Sequence, residues 1–179
     1  MRAIRPYLDH HPQLGERVYV DATAVVIGQV ILGDDVSIWP MAVVRGDVNA
    51  IAVGARTSVQ DGSVLHVTHD GPYTPGGRAL VIGRDVTIGH KAILHACTVE
   101  DSSLIGMGSI VLDGAVIERH VVVGAGALVP PGERLTSGAL YIGAPARRAR
   151  DLTTDEIESL TYSAQHYARL KDRYLAAGG

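Results

Sequence analysis

The sequence predicts an all-β fold, a parallel β-helix with a C-terminal α-helix packed on its side. Three observations carry that expectation. Aliphatic residues recur every six positions through most of the chain. A small or β-branched residue sits four places after most of them. The 179 residues include 21 glycines, no Phe and only 4% aromatics, a composition that suits a repeating backbone better than a core of large side chains. Self-similarity at a fixed period marks a repeat architecture.

Taken in order, the beat starts at Val20 and falls on Val26, Leu32, Ile38 and Val44. After a slip of three residues it resumes at Val53, Val59 and Leu65, and after a longer gap at Ile82, Ile88 and Leu94. One short step leads to Val99, then Ile105, Val111, Ile117, Val123 and Val129. Every one of these positions is Val, Ile or Leu. Four places on stand Ala24, Val30, Val36, Ala42, Thr57, Ser63, Val86, Ala92, Thr98, Ser103, Ser109, Ala115, Val121 and Ala127. A short strand with one inward aliphatic, followed by a tight turn, meets both requirements. Three such strands make one triangular coil, and stacked coils bury a continuous aliphatic column. A sandwich of alternating strands would instead show period two.

The beat ends near "YIGAPARRARDL", and "TTDEIESLTYSAQHYARLKDRYLAA" reads as a helix. Thr153 and Glu156 form a capping box, and Ile157, Leu160, Ala164, Tyr167 and Tyr174 fall along one stripe. The expected organisation is a β-helix over residues 1–150 and a helix over 151–179 that belongs to the same domain. A net charge of −3 offers no basic surface, so nucleic acid is not an expected partner. The start has no apolar signal core and no later stretch would span a membrane, while the single Cys97 suits a reducing compartment; the cytoplasm is the expected location.

Three histidines stand out in apolar surroundings: His66 in "VLHV", His90 in "IGHKA" and His95 in "LHAC". His66 and His95 each follow a beat residue by one. If "VTHDGPYTPGGRA", residues 67–79, bulges out at a corner, Leu94 stacks over Leu65 one coil later. His66 and His95 then become outward neighbours about 4.8 Å apart along the stack, suited to converge on one ion at Zn–N distances near 2.0–2.1 Å. His90 sits around a corner and points away, so a neighbouring subunit would have to supply the third ligand. Three faces about an axis make a trimer the natural closure. His10, His11, His120 and His166 read as solvated surface residues.

These stretches, with "IWPMAVVRGDV", "SVQDGSVLHVTH" and "GMGSIVLDGAV", resemble the gamma-class carbonic anhydrases, and most closely their bacterial gamma-carbonic-anhydrase-like branch. The resemblance covers nearly the whole chain. It implies a left-handed coil and a homotrimer with zinc held between subunits, by His66 and His95 of one chain and His90 of the next. It also carries over Arg45 and Asp47 of "RGD" and Gln60 and Asp61 of "VQD" as residues beside the site. Arg45 and Asp47 are expected to pair across the subunit contact, and Gln60 to face outward and orient the reactive oxygen. The implied activity is reversible hydration of CO₂ to bicarbonate by a metal-bound hydroxide, since zinc lowers the pKa of bound water to about 7. Imidazole donors suit Fe, Co and Ni as well as Zn.

The chain departs from the best-characterised members at Val48, which follows "RGD" where they carry Glu, at Ser58, where Asn is frequent, and in its short loop. His69 or Asp70 is a candidate proton relay, set against a plain loop residue. Two further functions stay open: an acyl-CoA thioesterase or acyltransferase of the hexapeptide-repeat kind, whose coil exit "YIGAPAR" resembles, and a non-catalytic, metal-stabilised trimer.

Overall fold

The computed structural model describes residues 3–178. The six-residue beat builds three walls of short parallel strands. One wall passes through Val64–His66, Ile93–His95, Ile110–Val111 and Leu128–Val129. The second passes through Leu80–Ile82, Thr98–Val99, Val116–Ile117 and Arg134–Leu135. The third runs from Tyr19–Val20 through Ser58–Val59, Thr87–Ile88 and Leu104–Ile105 to Ala139–Ile142. Two longer strands, Val25–Leu32 and Val43–Val53, bend around the corner between the first two walls and pair with strands on both.

The aliphatic column is present as the periodicity requires. Every beat residue but Val20 is buried, and Val20, in the first coil, packs partly against the column. The beat also runs on through Leu135 and Tyr141. Each Val, Leu or Ile withdrawn from water contributes about 1.5–3 kcal/mol, so the column dominates the stability of a chain poor in aromatics. The small residues four places on are buried too, except Thr98. The short step between Leu94 and Val99 gives the inward seat to Cys97, and Thr98 turns out to pair with Val81 and Val116. Where the inward small residue is polar, its hydroxyl reaches a backbone carbonyl: Thr57 donates to Gly83 at 2.8 Å, Ser63 to Gly89 at 3.0 Å and Ser103 to Glu118 at 3.0 Å. Among the described residues no buried side-chain nitrogen or oxygen lacks a partner.

The two interruptions of the beat have visible causes. At the first, Ile27 faces Arg45 and Gly28 faces Gly46, and pairing resumes only at Val30 and Ile51. The extra residues on the longer strand form a bulge, a device that re-aims side chains. Here it carries Asp47 outward. Glycine is required at its base, because a Cβ on Gly46 would lie 2.5 Å from the Gln29 carbonyl oxygen. At the second, residues 67–79 leave the corner as a small antiparallel excursion bridged at Thr68–Arg78 and Gly71–Thr74, and the coil closes at Leu80.

Helix α1 (Thr154–Ala176) begins with the Thr153–Glu156 capping box and rests against the first four coils of the third wall. Leu160 and Ala164 are buried, and Tyr167 and Tyr174 close on Trp39 and Tyr19. The stripe holds one member that hydropathy omits: Lys171 is fully buried, its Nζ 2.7 Å from Asp35 and 2.5 Å from Asp172. Between the last coil and the helix, Arg147–Asp151 turns back as an antiparallel strand on Ala139–Ile142, which the six-residue beat does not anticipate. No helix among the described residues is long and apolar enough to cross a membrane.

Candidate metal centre

Strand register places the first two histidines. Leu65 pairs with Leu94, so His66 lies directly beside His95 on parallel strands. The rings approach with His66 Nδ1 3.1 Å from His95 Nε2. Each ring is anchored through its other nitrogen: His66 Nε2 to Asp47 Oδ1 at 2.9 Å, and His95 Nδ1 to Asp113 Oδ2 at 2.8 Å. Each carboxylate has a second support, the Arg45 guanidinium on Asp47 and the Thr68 hydroxyl on Asp113. Burial pushes both acids upward, but the hydrogen bonds win. His66 and Arg45 hold Asp47, and Thr68 and His95 hold Asp113, below the ordinary carboxylate range.

That arrangement fixes the rings electronically. An ionised carboxylate only accepts, so His66 Nε2 and His95 Nδ1 must donate. In neutral imidazoles the two nitrogens facing each other are then both acceptors. Lone pairs opposed at 3.1 Å repel unless a proton or a metal cation lies between them. Two donors at 2.0–2.1 Å from a tetrahedral ion would stand about 3.3 Å apart, close to the spacing found. A ligating histidine also characteristically gives its other N–H to a carboxylate. The donor set therefore fits a metal ion.

The third histidine belongs to a different corner. Register between Val59 and Ile88 sets the turn holding Gln60 and Asp61 directly beneath Gly89 and His90. His90 Nδ1 is 3.0 Å from Asp61 Oδ2, which leaves the exposed ring's Nε2 free. Gln60 faces out from the wall but is covered by the helix. It is only 4% exposed and lines a mostly apolar groove of about 360 Å³ between α1 and the third wall, with His90, Met107, Val122, Ser163 and Tyr167. Thus the seven residues marked from sequence divide into two groups: Arg45, Asp47, His66 and His95 at one corner, Gln60, Asp61 and His90 at another. Arg45 and Asp47 pair with each other within the chain. Among the described residues no three His, Cys, Asp or Glu side chains converge on a single metal position.

A family model for the bacterial transferase hexapeptide (six repeats) matches residues 11–46 and 96–131. The chain is 54% identical over 98% of its length to the Escherichia coli protein YrdA, covering 95% of that protein. It is 38% identical over 97% of its length to a carbonic anhydrase of Geobacillus kaustophilus, covering 91% of it. It is 43% identical to the mitochondrial gamma carbonic anhydrase 1 of Arabidopsis thaliana, of which it covers 63%. The chain belongs to the gamma-carbonic-anhydrase-like hexapeptide-repeat family. Among solved structures, a hexapeptide transferase family protein from Anaplasma phagocytophilum matches with a TM-score of 0.89 at 40% identity, covering 97% of this chain and 98% of that one.

Within this gamma-carbonic-anhydrase-like chain, sequence reasoning misses Asp113 and Thr68. Asp113 stands 18 residues after His95, one coil on, and that spacing is the signal that could have found it. Thr68 is 45 residues from Asp113, across the excursion, and no fixed spacing points to it. Ser58 accepts a hydrogen bond from Trp39 Nε1 at 2.9 Å and so has a structural duty under the helix.

Proposed function

We propose that this protein is a zinc-dependent carbonic anhydrase that interconverts CO₂ and bicarbonate at sites shared between the subunits of a homotrimer. The supporting observation is the anchored histidine pair, with two ring nitrogens opposed at 3.1 Å and each ring held from behind by a carboxylate. His66 and His95 of one chain and His90 of a second would hold the ion; Fe, Co or Ni would satisfy the same donors. Bound there, zinc would supply Lewis-acid chemistry and lower the pKa of water to about 7.

The chain's own residues do the rest. Arg45 acts through Asp47 to aim His66, and Asp61 turns His90 so that Nε2 faces outward. Gln60, enclosed beside His90, offers an amide oxygen and N–H donors to orient a substrate oxygen. Of the two relay candidates, Asp70 accepts from the Gly76 backbone at 2.7 Å and is committed to its own turn, so the exposed His69 is the better placed to pass a proton to solvent. A cytoplasmic location is consistent with an unpaired, buried Cys97.

A second reading, zinc-dependent hydrolysis of acyl-CoA esters, draws on the groove beside Gln60 and His90, whose size and apolar lining suit a small organic chain. Stopped-flow CO₂ hydration on zinc-loaded protein, run beside hydrolysis of a panel of acyl-CoA esters, separates the two. Hydration well above buffer supports the anhydrase. Ester turnover without hydration would displace it.

A further inference from the structure

We propose that Thr68 and Asp113 are positioning residues for the histidine pair, and that the excursion over residues 67–79 serves to lock the His95 ring. This rests on the metal-binding reading above. Asp113 lies in the turn after Ile110–Val111 and uses its two oxygens on two different objects, Oδ2 on His95 Nδ1 and Oδ1 on the Thr68 hydroxyl. A carboxylate held by one oxygen alone is free to rotate; held by both, it gives the imidazole a fixed direction. Thr68 is itself immobilised. Its N–H donates to the Arg78 carbonyl at 3.0 Å, the Arg78 N–H returns the bond at 2.9 Å, and the Thr68 carbonyl accepts from Asn49 Nδ2 at 3.3 Å.

The excursion grips the same turn a second time. The Arg78 guanidinium lies over Gly114, where an added Cβ would meet Nη1 at 3.0 Å. One short segment thereby spans from the His66 coil to the coil beyond His95 and fixes both Asp113 and its neighbour. The opposite ring is held by the same logic from another part of the chain, with Arg45 steadying Asp47. Both facing nitrogens therefore arrive already aimed, which lowers the ordering cost of taking up an ion.

The test measures Zn²⁺ affinity of the full chain by chelator competition at one pH, with circular dichroism to verify folding and the visible spectrum of the Co²⁺ form as a report on ligand geometry. Loss of such an outer partner characteristically costs 10–100-fold in metal affinity. Asp113→Ala is expected to lose that much, Thr68→Val to weaken binding in the same direction and alter the Co²⁺ spectrum, and Thr68→Ser to return within about threefold of the parent. Should Asp113→Ala not fold, the Thr68 pair decides. Folded variants that bind Zn²⁺ as tightly as the parent, or a Thr68→Ser protein no better than Thr68→Val, would overturn the proposal. A parent protein that takes up no Zn²⁺ would overturn it together with the metal reading, a result distinct from tight parent binding with indifferent variants.

Discussion

His90 shares its corner with Asp61, 3.0 Å away, and not with His66 or His95. If its free nitrogen serves a neighbour's ion, His90→Ala will strip metal from every site while the β-helix stays folded, as metal analysis and circular dichroism would record. Stoichiometric metal in that variant would refute the sharing. A second residue-scale prediction concerns Gly46. A Cβ there would lie 2.5 Å from the Gln29 carbonyl oxygen, so Gly46→Ala should cost about 1–3 kcal/mol of stability and displace Asp47 from His66. A urea midpoint unchanged from the parent would count against that reading of the bulge. The three histidines were legible because each has a fixed offset from an aliphatic beat. Asp113 was not, since an Asp before a Gly has a sufficient explanation as a turn pair, and nothing local discloses its second duty on His95.

The helix illustrates the same limit one level up. Its cap and apolar stripe are readable from Thr153, Glu156, Leu160 and Ala164, but a hydrophobic pattern has no place for Lys171, the most deeply buried charge on it. Lys171 Nζ meets Asp35 at 2.7 Å and ties the helix to an early coil. Asp35 keeps its bonds from Arg17 when Lys171 is removed, so the loss is of the buried lysine's own packing and ion pair: Lys171→Ala should lower the unfolding free energy by about 2 kcal/mol, and Lys171→Met by less, in urea titrations. The Arg17 guanidinium first, and Lys171 next, hold Asp35 at about 2 against an ordinary 3.8. A depressed carboxylate stabilises the fold fully above its unfolded value, so this contribution is present above about pH 4 and fades as pH falls towards 2. Arg17→Ala and Lys171→Met should each flatten that acid limb; a limb unchanged in either variant would contradict the assignment. The excursion over residues 67–79 was legible as an interruption of the beat, but its grip on the next coil through Thr68 and Arg78 depends on side-chain reach, which periodicity does not encode.

Across the whole molecule, the six-residue period carried nearly all of the architecture, because each step answers to one physical demand, an aliphatic side chain facing a closed column. It also carried the register that sets His66 beside His95. What it could not carry was the consequence of the corners: the marked residues fall into two groups on one chain, each incomplete. A shared site would make that division useful, since a ring of three chains would appose the first group of one to the second group of the next. The most direct measurement refolds His90→Ala protein together with His95→Ala protein and determines zinc per chain. Each variant alone should bind none, while the equimolar mixture should regain roughly one quarter of the parental sites, the fraction of interfaces that pair an intact His66–His95 with an intact His90. Zinc retained by either variant alone, or none in the mixture although the chains co-assemble, would contradict the account.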